Sequence, residues 1–428
     1  MVEARSFTSF KSPADLIEKP ASKGTKHAVL PSAMLRKRLF RAAGIAFLAA
    51  AAAGFADLLP DRMAEVSRSV EEVRGRKFAR PVPATKLDKA EARRILREKI
   101  VEGLPVPPEE AFASYAALGF IENSPKMLDT LLDFYAGQVV AFYDPVPRRF
   151  FVVEGAEELA GGDSEGVASN LIFSHELTHA LQDENLRLAD RVQALREDSD
   201  RGLALQSLLE GEATLVMIRV ALQEIPGATD EVEEQMAPLL TAGALERGNV
   251  PAGVPEFFVD QLFFPYAEGL RFVRAAVKKG GWAEIDRMWR NPPESTAEIL
   301  HGSPYPPPAP NLLPANLAAI APGQRLIYTD TIGEWAIRFL LARALPAEEA
   351  AAAASGWRGD RVAYYVPGSR PMSYFWRVRF DGPAAATRFE AALRKAREKR
   401  PVATPETIQR DGADVVVKAG LPEKVVER

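Results

Sequence analysis

In the middle of the chain, the apolar run from Leu171 to Leu181 contains no proline or glycine and reads as one buried or half-buried helix. A second strong helix is expected from Leu205 to Met217, where Glu210 and Glu212 are embedded in apolar sequence. Upstream, Asp88 to Gly103 has the pattern of a charged amphipathic helix, followed by shorter helices over Glu109–Leu118 and Met127–Gly137. The pattern then turns β-branched and aromatic. Residues 138–143 and 149–153 read as two strands around the turn residues Asp144-Pro145-Val146-Pro147. Downstream, a polar stretch punctuated by glycine and proline (Pro226 to Pro255) precedes a helical unit running from Phe257 through Val273. A short helix ending at His301 follows, with Ser295 or Thr296 as its N-cap and Glu298 placed to complete a capping arrangement.

The proline-rich run Tyr305 to Pro310 is the clearest boundary in the pattern. Beyond it come helices over Gly333–Ala344, Pro346–Ala354 and Ala384–Lys399. Strands are expected over Val362–Val366, Tyr374–Phe380 and Ala413–Lys418, the first two joined around Pro367-Gly368-Ser369. This is the pattern of a small α+β subdomain, residues 311–428. At the other end, Met1 to Ala33 is polar and aperiodic, and is expected to be disordered. Met34 to Arg41 is a basic block and Ala42 to Ala56 an uncharged apolar run ending in small residues. That is the pattern of a secretory signal, nearly ideal were Met34 the start, and the run is short for a spanning helix. An N-terminal membrane anchor is the alternative. Either way residues 1–56 stand apart from a 57–310 domain, and export to the cell envelope is expected: periplasmic, extracellular or membrane-attached.

Composition narrows the chemistry. A net charge of −4 over 428 residues, with both signs interspersed, does not suggest nucleic-acid binding. The aromatics beside arginine in Tyr374–Phe380 are better read as a sheet face covered by helices. With no cysteine, disulfides and thiolate ligands are excluded, so any metal must be held by histidine and carboxylate.

The chain has four histidines, His27, His175, His179 and His301. His175 and His179 stand at i and i+4, so both imidazoles project from one helix face and can reach one ion. Glu176 follows the first, placed to reach a metal-activated water without taking a coordination position. An apolar helix gains nothing from two histidines and a glutamate unless they do chemistry. A catalytic zinc site needs a third protein ligand, and Glu210 or Glu212 is the next acidic candidate, each costly to bury unpaired.

His175-Glu176-Leu177-Thr178-His179-Ala180 resembles the active-site helix of thermolysin-like gluzincin metallopeptidases. Glu210-Gly211-Glu212-Ala213 resembles their E-G-x-A glutamate helix. The resemblance spans roughly Val139 to Tyr305. It implies an α+β fold with a mainly helical zincin-like core and a small edge β-sheet, and one Zn2+ per chain on His175, His179 and Glu210. The His179–Glu210 gap is longer than in the best-known members, leaving room for a charged insertion (Asp183 to Arg201), so Glu212 stays a second candidate. The implied activity is zinc-dependent peptide-bond hydrolysis with Glu176 as general base, and an edge strand pairing with an extended peptide or protein substrate. His301, Tyr266 or Tyr305 is the donor expected to stabilise the developing oxyanion. Two other readings share these residues: a non-catalytic zincin-fold envelope protein used for binding or scaffolding, and a zinc hydrolase of non-peptide substrates.

Overall fold

The computed structural model describes residues 55–154, 167–223, 231–235, 250–310, 312–366 and 371–422. The N-terminal extension, the signal-like segment up to residue 54, most of the polar stretch from Pro226 to Pro255 and the Pro367–Ser369 turn lie outside the described residues. Among the described residues no helix is long and apolar enough to cross a membrane.

The chain begins with α1 (Phe55–Arg74), then β1 (Ala84–Leu87), α2 (Lys89–Gly103), α3 (Pro108–Leu118) and α4 (Met127–Ala136). The hairpin β2 (Ala141–Asp144) and β3 (Arg149–Val153) forms as expected, pairing Tyr143 with Phe150 and Asp144 with Arg149. Unexpectedly, β1 pairs in parallel with β3, giving a three-stranded sheet of order β1-β3-β2. β3 is central and buried along most of its length, which accounts for its unbroken apolar run. β2 is left as an edge.

The helical layer comprises α5 (Val167–Leu186), α6 (Leu188–Ala194), α7 (Ser199–Gln223), α8 (Glu256–Arg290) and α9 (Thr296–His301). The charged insertion is thus helical, made of the end of α5, all of α6 and the start of α7. α7 is apolar nearly all round and buried from Leu203 to Val220 with few breaks, the signature of a helix at the centre of a core. Phe150 and Val152 of β3 pack with Phe173 and Leu177 of α5, Val70 of α1 and Val216 of α7. α8 runs past the expected Val273 and bends at Gly280 and Gly281, whose backbone angles are non-helical. Ser295 does cap α9, accepting from the Glu298 amide, but Glu298 reaches back to the Glu294 amide (3.2 Å).

After a short helix α10 (Leu317–Ile320), the C-terminal part contains β4 (Arg325–Asp330), α11 (Gly333–Ala342), α12 (Ala347–Ala354), β5 (Trp357–Val366), β6 (Ser373–Phe380), α13 (Pro383–Lys399), β7 (Glu406–Asp411) and β8 (Asp414–Ala419). The strands form an antiparallel sheet of order β4-β5-β6-β8-β7. Alternation divides its faces. Tyr364, Trp376 and Val417 join the core under α11, α12 and α13, while Tyr365, Phe375 and Val416 pack on Ile320 and Ala321. The first of these cores also contains Phe112, Phe120, Met127, Phe257 and Phe258. Packing therefore crosses the proline-rich run: Tyr305–Pro310 marks a connection, and the elements on its two sides share one core.

Candidate metal centre

α5 presents His175 and His179 one turn apart, ring centroids 4.8 Å from each other and nearly perpendicular. α7 brings Glu210 against them. His175 Nε2 lies 3.1 Å from Glu210 Oε2 and 3.2 Å from His179 Nε2, and His179 Nε2 lies 3.4 Å from Glu210 Oε2. A tetrahedral zinc with bonds of about 2.0–2.1 Å spaces its ligand atoms about 3.3 Å apart, so this triangle fits three corners of such a site. Among the described residues these three are the group able to hold a metal ion.

The electrostatics point the same way. Burial disfavours the charged form of His179, but the Glu210 carboxylate, by charge and hydrogen bond, and Glu176 overcome it and raise its pKa to about 10. Burial would raise Glu210, yet the two histidines hold it far below the usual carboxylate range. Glu210 and Glu176 therefore favour a positive charge at this position, carried by a protonated His179 or by a bound cation.

Why Glu210 stands there is a matter of helix packing. α7 crosses α8 at Gly211 and Gly269, where backbones approach so closely that a Cβ on Gly211 would meet the Gly269 carbonyl carbon and oxygen at 2.3 Å. A Cβ on Gly269 would meet the Ser207 oxygen at 2.1 Å. The glycine after Glu210 is therefore required by the crossing. Glu212 is fully buried and committed elsewhere: it accepts from Arg74 Nε at 2.5 Å, Trp289 Nε1 at 2.8 Å and Gln182 Nε2 at 2.9 Å. Gln182 in turn places its Oε1 2.9 Å from His179 Nδ1.

Glu176 Oε2 accepts the backbone N–H of Tyr143 at 2.9 Å, which ties the carboxylate to edge strand β2. Burial pushes the Glu176 carboxyl up, against the pull of the two histidines. Tyr143 also donates its hydroxyl to Asp183 (3.0 Å), whose other oxygen caps α6 at the Leu188 amide (2.8 Å). Tyr266 stacks on His175 with centroids 5.9 Å apart, and its hydroxyl hydrogen-bonds Glu210. Burial and the Glu210 and Glu176 carboxylates raise its phenol well above the ordinary value, so it stays a donor. A cleft of about 480 Å³ opens beside His179 and Glu210, walled by Tyr143 and Pro145 of the hairpin and by Leu188 and Val192 of α6.

The other two expected donors are placed differently. His301 puts Nε2 2.9 Å from Glu334 Oε1, beside Arg338, and stacks on Tyr305 with centroids 5.3 Å apart. Tyr305 donates to the Trp357 carbonyl (3.3 Å). Both are engaged at the junction of α9 with α11 and β5. Sequence reasoning missed Tyr143, Asp183, Gln182 and Arg74. Only Gln182 carried a signal, sitting at i+3 from His179.

Comparison with known proteins adds little to this geometry. A family model described as a domain of unknown function (DUF8575) matches residues 324–426, the C-terminal sheet with its helices. No curated protein matches. A solved structure from Chloroflexus aurantiacus, "a putative hydrolase with a novel fold", is similar at 21% identity and a TM-score of 0.36, over 62% of this chain and 95% of that one.

Proposed function

We propose that this chain is a zinc-dependent peptidase, with His175, His179 and Glu210 holding the ion. The observation that carries the reading is the triangle of ligand atoms at 3.1, 3.2 and 3.4 Å, with Glu176 one residue from the first histidine. When bound, zinc would supply a Lewis acid that acidifies water and polarises a carbonyl. The rest falls to the chain. Glu176, steadied through one oxygen by the Tyr143 amide, takes a proton from the attacking water and delivers it to the leaving amine as the C–N bond breaks. Tyr266, kept neutral, is the hydrogen-bond donor for charge building on the carbonyl oxygen. A peptide is favoured over other hydrolysable substrates because β2 is a sheet edge lying directly against Glu176, where an extended backbone can add as a further strand.

The test is metal analysis beside turnover of a protease-substrate panel. The parent should contain one zinc per chain. Glu176→Gln should retain the metal and lose at least about 10²-fold in kcat, the usual contribution of general base catalysis. No zinc in the parent after incubation with the metal, or near-parental proteolysis by Glu176→Gln, would sink the proposal.

A further inference from the structure

We infer that Arg74, Glu212 and Gln182 form a buried positioning chain that decides which nitrogen of His179 carries hydrogen, and so aims its Nε2 lone pair at the ligand triangle. The second half rests on the zinc reading; the first does not.

Arg74, 1% exposed, lies between the rings of Trp282 and Trp289, its guanidinium carbon 4.8 and 4.6 Å from their centroids. A guanidinium only donates, and Arg74 donates to Glu212 Oε1 (2.5 Å) and Asp286 Oδ1 (2.6 Å). Glu212, paired with it, is an acceptor on both oxygens. Its Oε2 receives the indole N–H of Trp289, a group that can only donate, at 2.8 Å. The Gln182 atom 2.9 Å from the same oxygen must then be the amide NH2. That nitrogen also lies 3.0 Å from the Leu209 carbonyl, another pure acceptor. Two acceptors on one side leave the amide a single orientation, with its oxygen toward His179 Nδ1 at 2.9 Å. An amide oxygen cannot donate, so Nδ1 carries the hydrogen. Nε2 faces His175 Nε2 and Glu210 Oε2, at 3.2 and 3.4 Å. Histidine ligands to metals are generally oriented by such an outer partner. Here the orientation originates in a cation at the last residue of α1, 138 positions before Glu212 in the chain. Docking of α1 and the aim of His179 are one event.

The experiment uses the full chain with 15N-labelled histidine. Long-range 1H–15N spectra should show hydrogen on His179 Nδ1, and its exchange with solvent should be slow both with zinc added and without it; an Nδ1 without hydrogen in the zinc-loaded protein, or one exchanging freely in either state, overturns the inference. Zinc affinity is then measured by chelator competition on Gln182→Met, a near-isosteric change, and on Arg74→Met, with circular dichroism reporting folding. Loss of an outer-shell partner typically weakens metal binding 10–100-fold, and about that loss is expected here, with the Nδ1 hydrogen of the Gln182 variant exchanging freely. Folded variants binding zinc within about threefold of the parent would equally overturn it. If a variant does not fold, the parent spectra still decide. A parent that takes up no zinc yet keeps a slowly exchanging Nδ1 hydrogen overturns the zinc reading and leaves the positioning chain standing.

Discussion

His301 and Tyr266 entered as rival donors for one developing charge, and their surroundings separate them. His301 spends its Nε2 on Glu334, a side chain with no exposure, whereas Tyr266 lies on His175 and touches Glu210. Tyr266→Phe is expected to lower kcat by about 10²-fold, the cost of losing one oxyanion donor, with KM little changed and zinc retained. His301→Gln should leave kcat at the parental level. Loss of zinc on Tyr266→Phe would show instead that the phenol acts through Glu210. At this scale His175, Glu176 and His179 were legible because helical spacing alone places them on known faces, and Glu210 through its resemblance to the E-G-x-A helix. The resemblance favoured Glu210 as third ligand and kept Glu212 as a second candidate. What separates them is the direction each takes from α7, toward α5's histidines or toward Arg74 and Trp289.

Among the elements, the crossing of α7 and α8 does the most to build the site. Because the atoms facing Gly211 are backbone, Gly211→Ala cannot be relieved by a side-chain move. It should cost about 1–3 kcal/mol, the usual penalty of overpacking, read as a lower urea midpoint, and weaken zinc by displacing Glu210. A midpoint equal to the parent's would contradict the close crossing. Elements with long periodic patterns, such as α5, α7 and α13, could be read in advance. β1, β4 and β7 could not. They are four to six residues long, and β1 and β7 are only partly buried, so no clean apolar alternation marks them. Their pairing comes from partners distant in sequence, as β1 with β3.

For the whole molecule, the decisive region is the junction between the helical layer and the C-terminal sheet. Asp330, at the end of β4, accepts Ser199 N (2.8 Å) and Ser199 Oγ (2.6 Å) at the start of α7. Asp200 accepts the Thr296 amide (3.0 Å), and a Cβ on Gly333, where φ is +83°, would strike its carboxylate. Asp360 caps α11 through the Ile332 and Gly333 amides (2.9 and 2.8 Å). Burial pushes Asp330 from 3.8 up to about 7, in spite of the Ser199 hydrogen bonds. A carboxyl raised on folding binds its proton more tightly in the folded state. Its contribution is therefore full below 3.8 and is lost as pH rises through about 7. The thermal midpoint of the parent, compared with Asp330→Asn, should accordingly fall between about pH 4 and pH 7, by several degrees. A difference independent of pH would show that Asp330 is ionised throughout. Because one core spans the proline-rich run, a chain ending at Pro310 should lack a cooperative unfolding transition, whereas an autonomous 57–310 domain would keep one.

The sequence by itself determined the chemistry available to this protein. Two histidines one helical turn apart, a glutamate between them and a second acidic helix need only the period of the α-helix to be recognised, and the lack of cysteine excludes thiolate ligands and disulfides. It also determined the long helices and the hairpin, since burial imposes its period on any element with enough residues. Tertiary structure alone decided which glutamate completes the triangle, which tyrosine faces it, and that Arg74 is linked to His179 through Glu212 and Gln182. Those choices depend on how closely α7 can approach α8 and on where a buried charge finds its partner, and neither distance is written in local pattern.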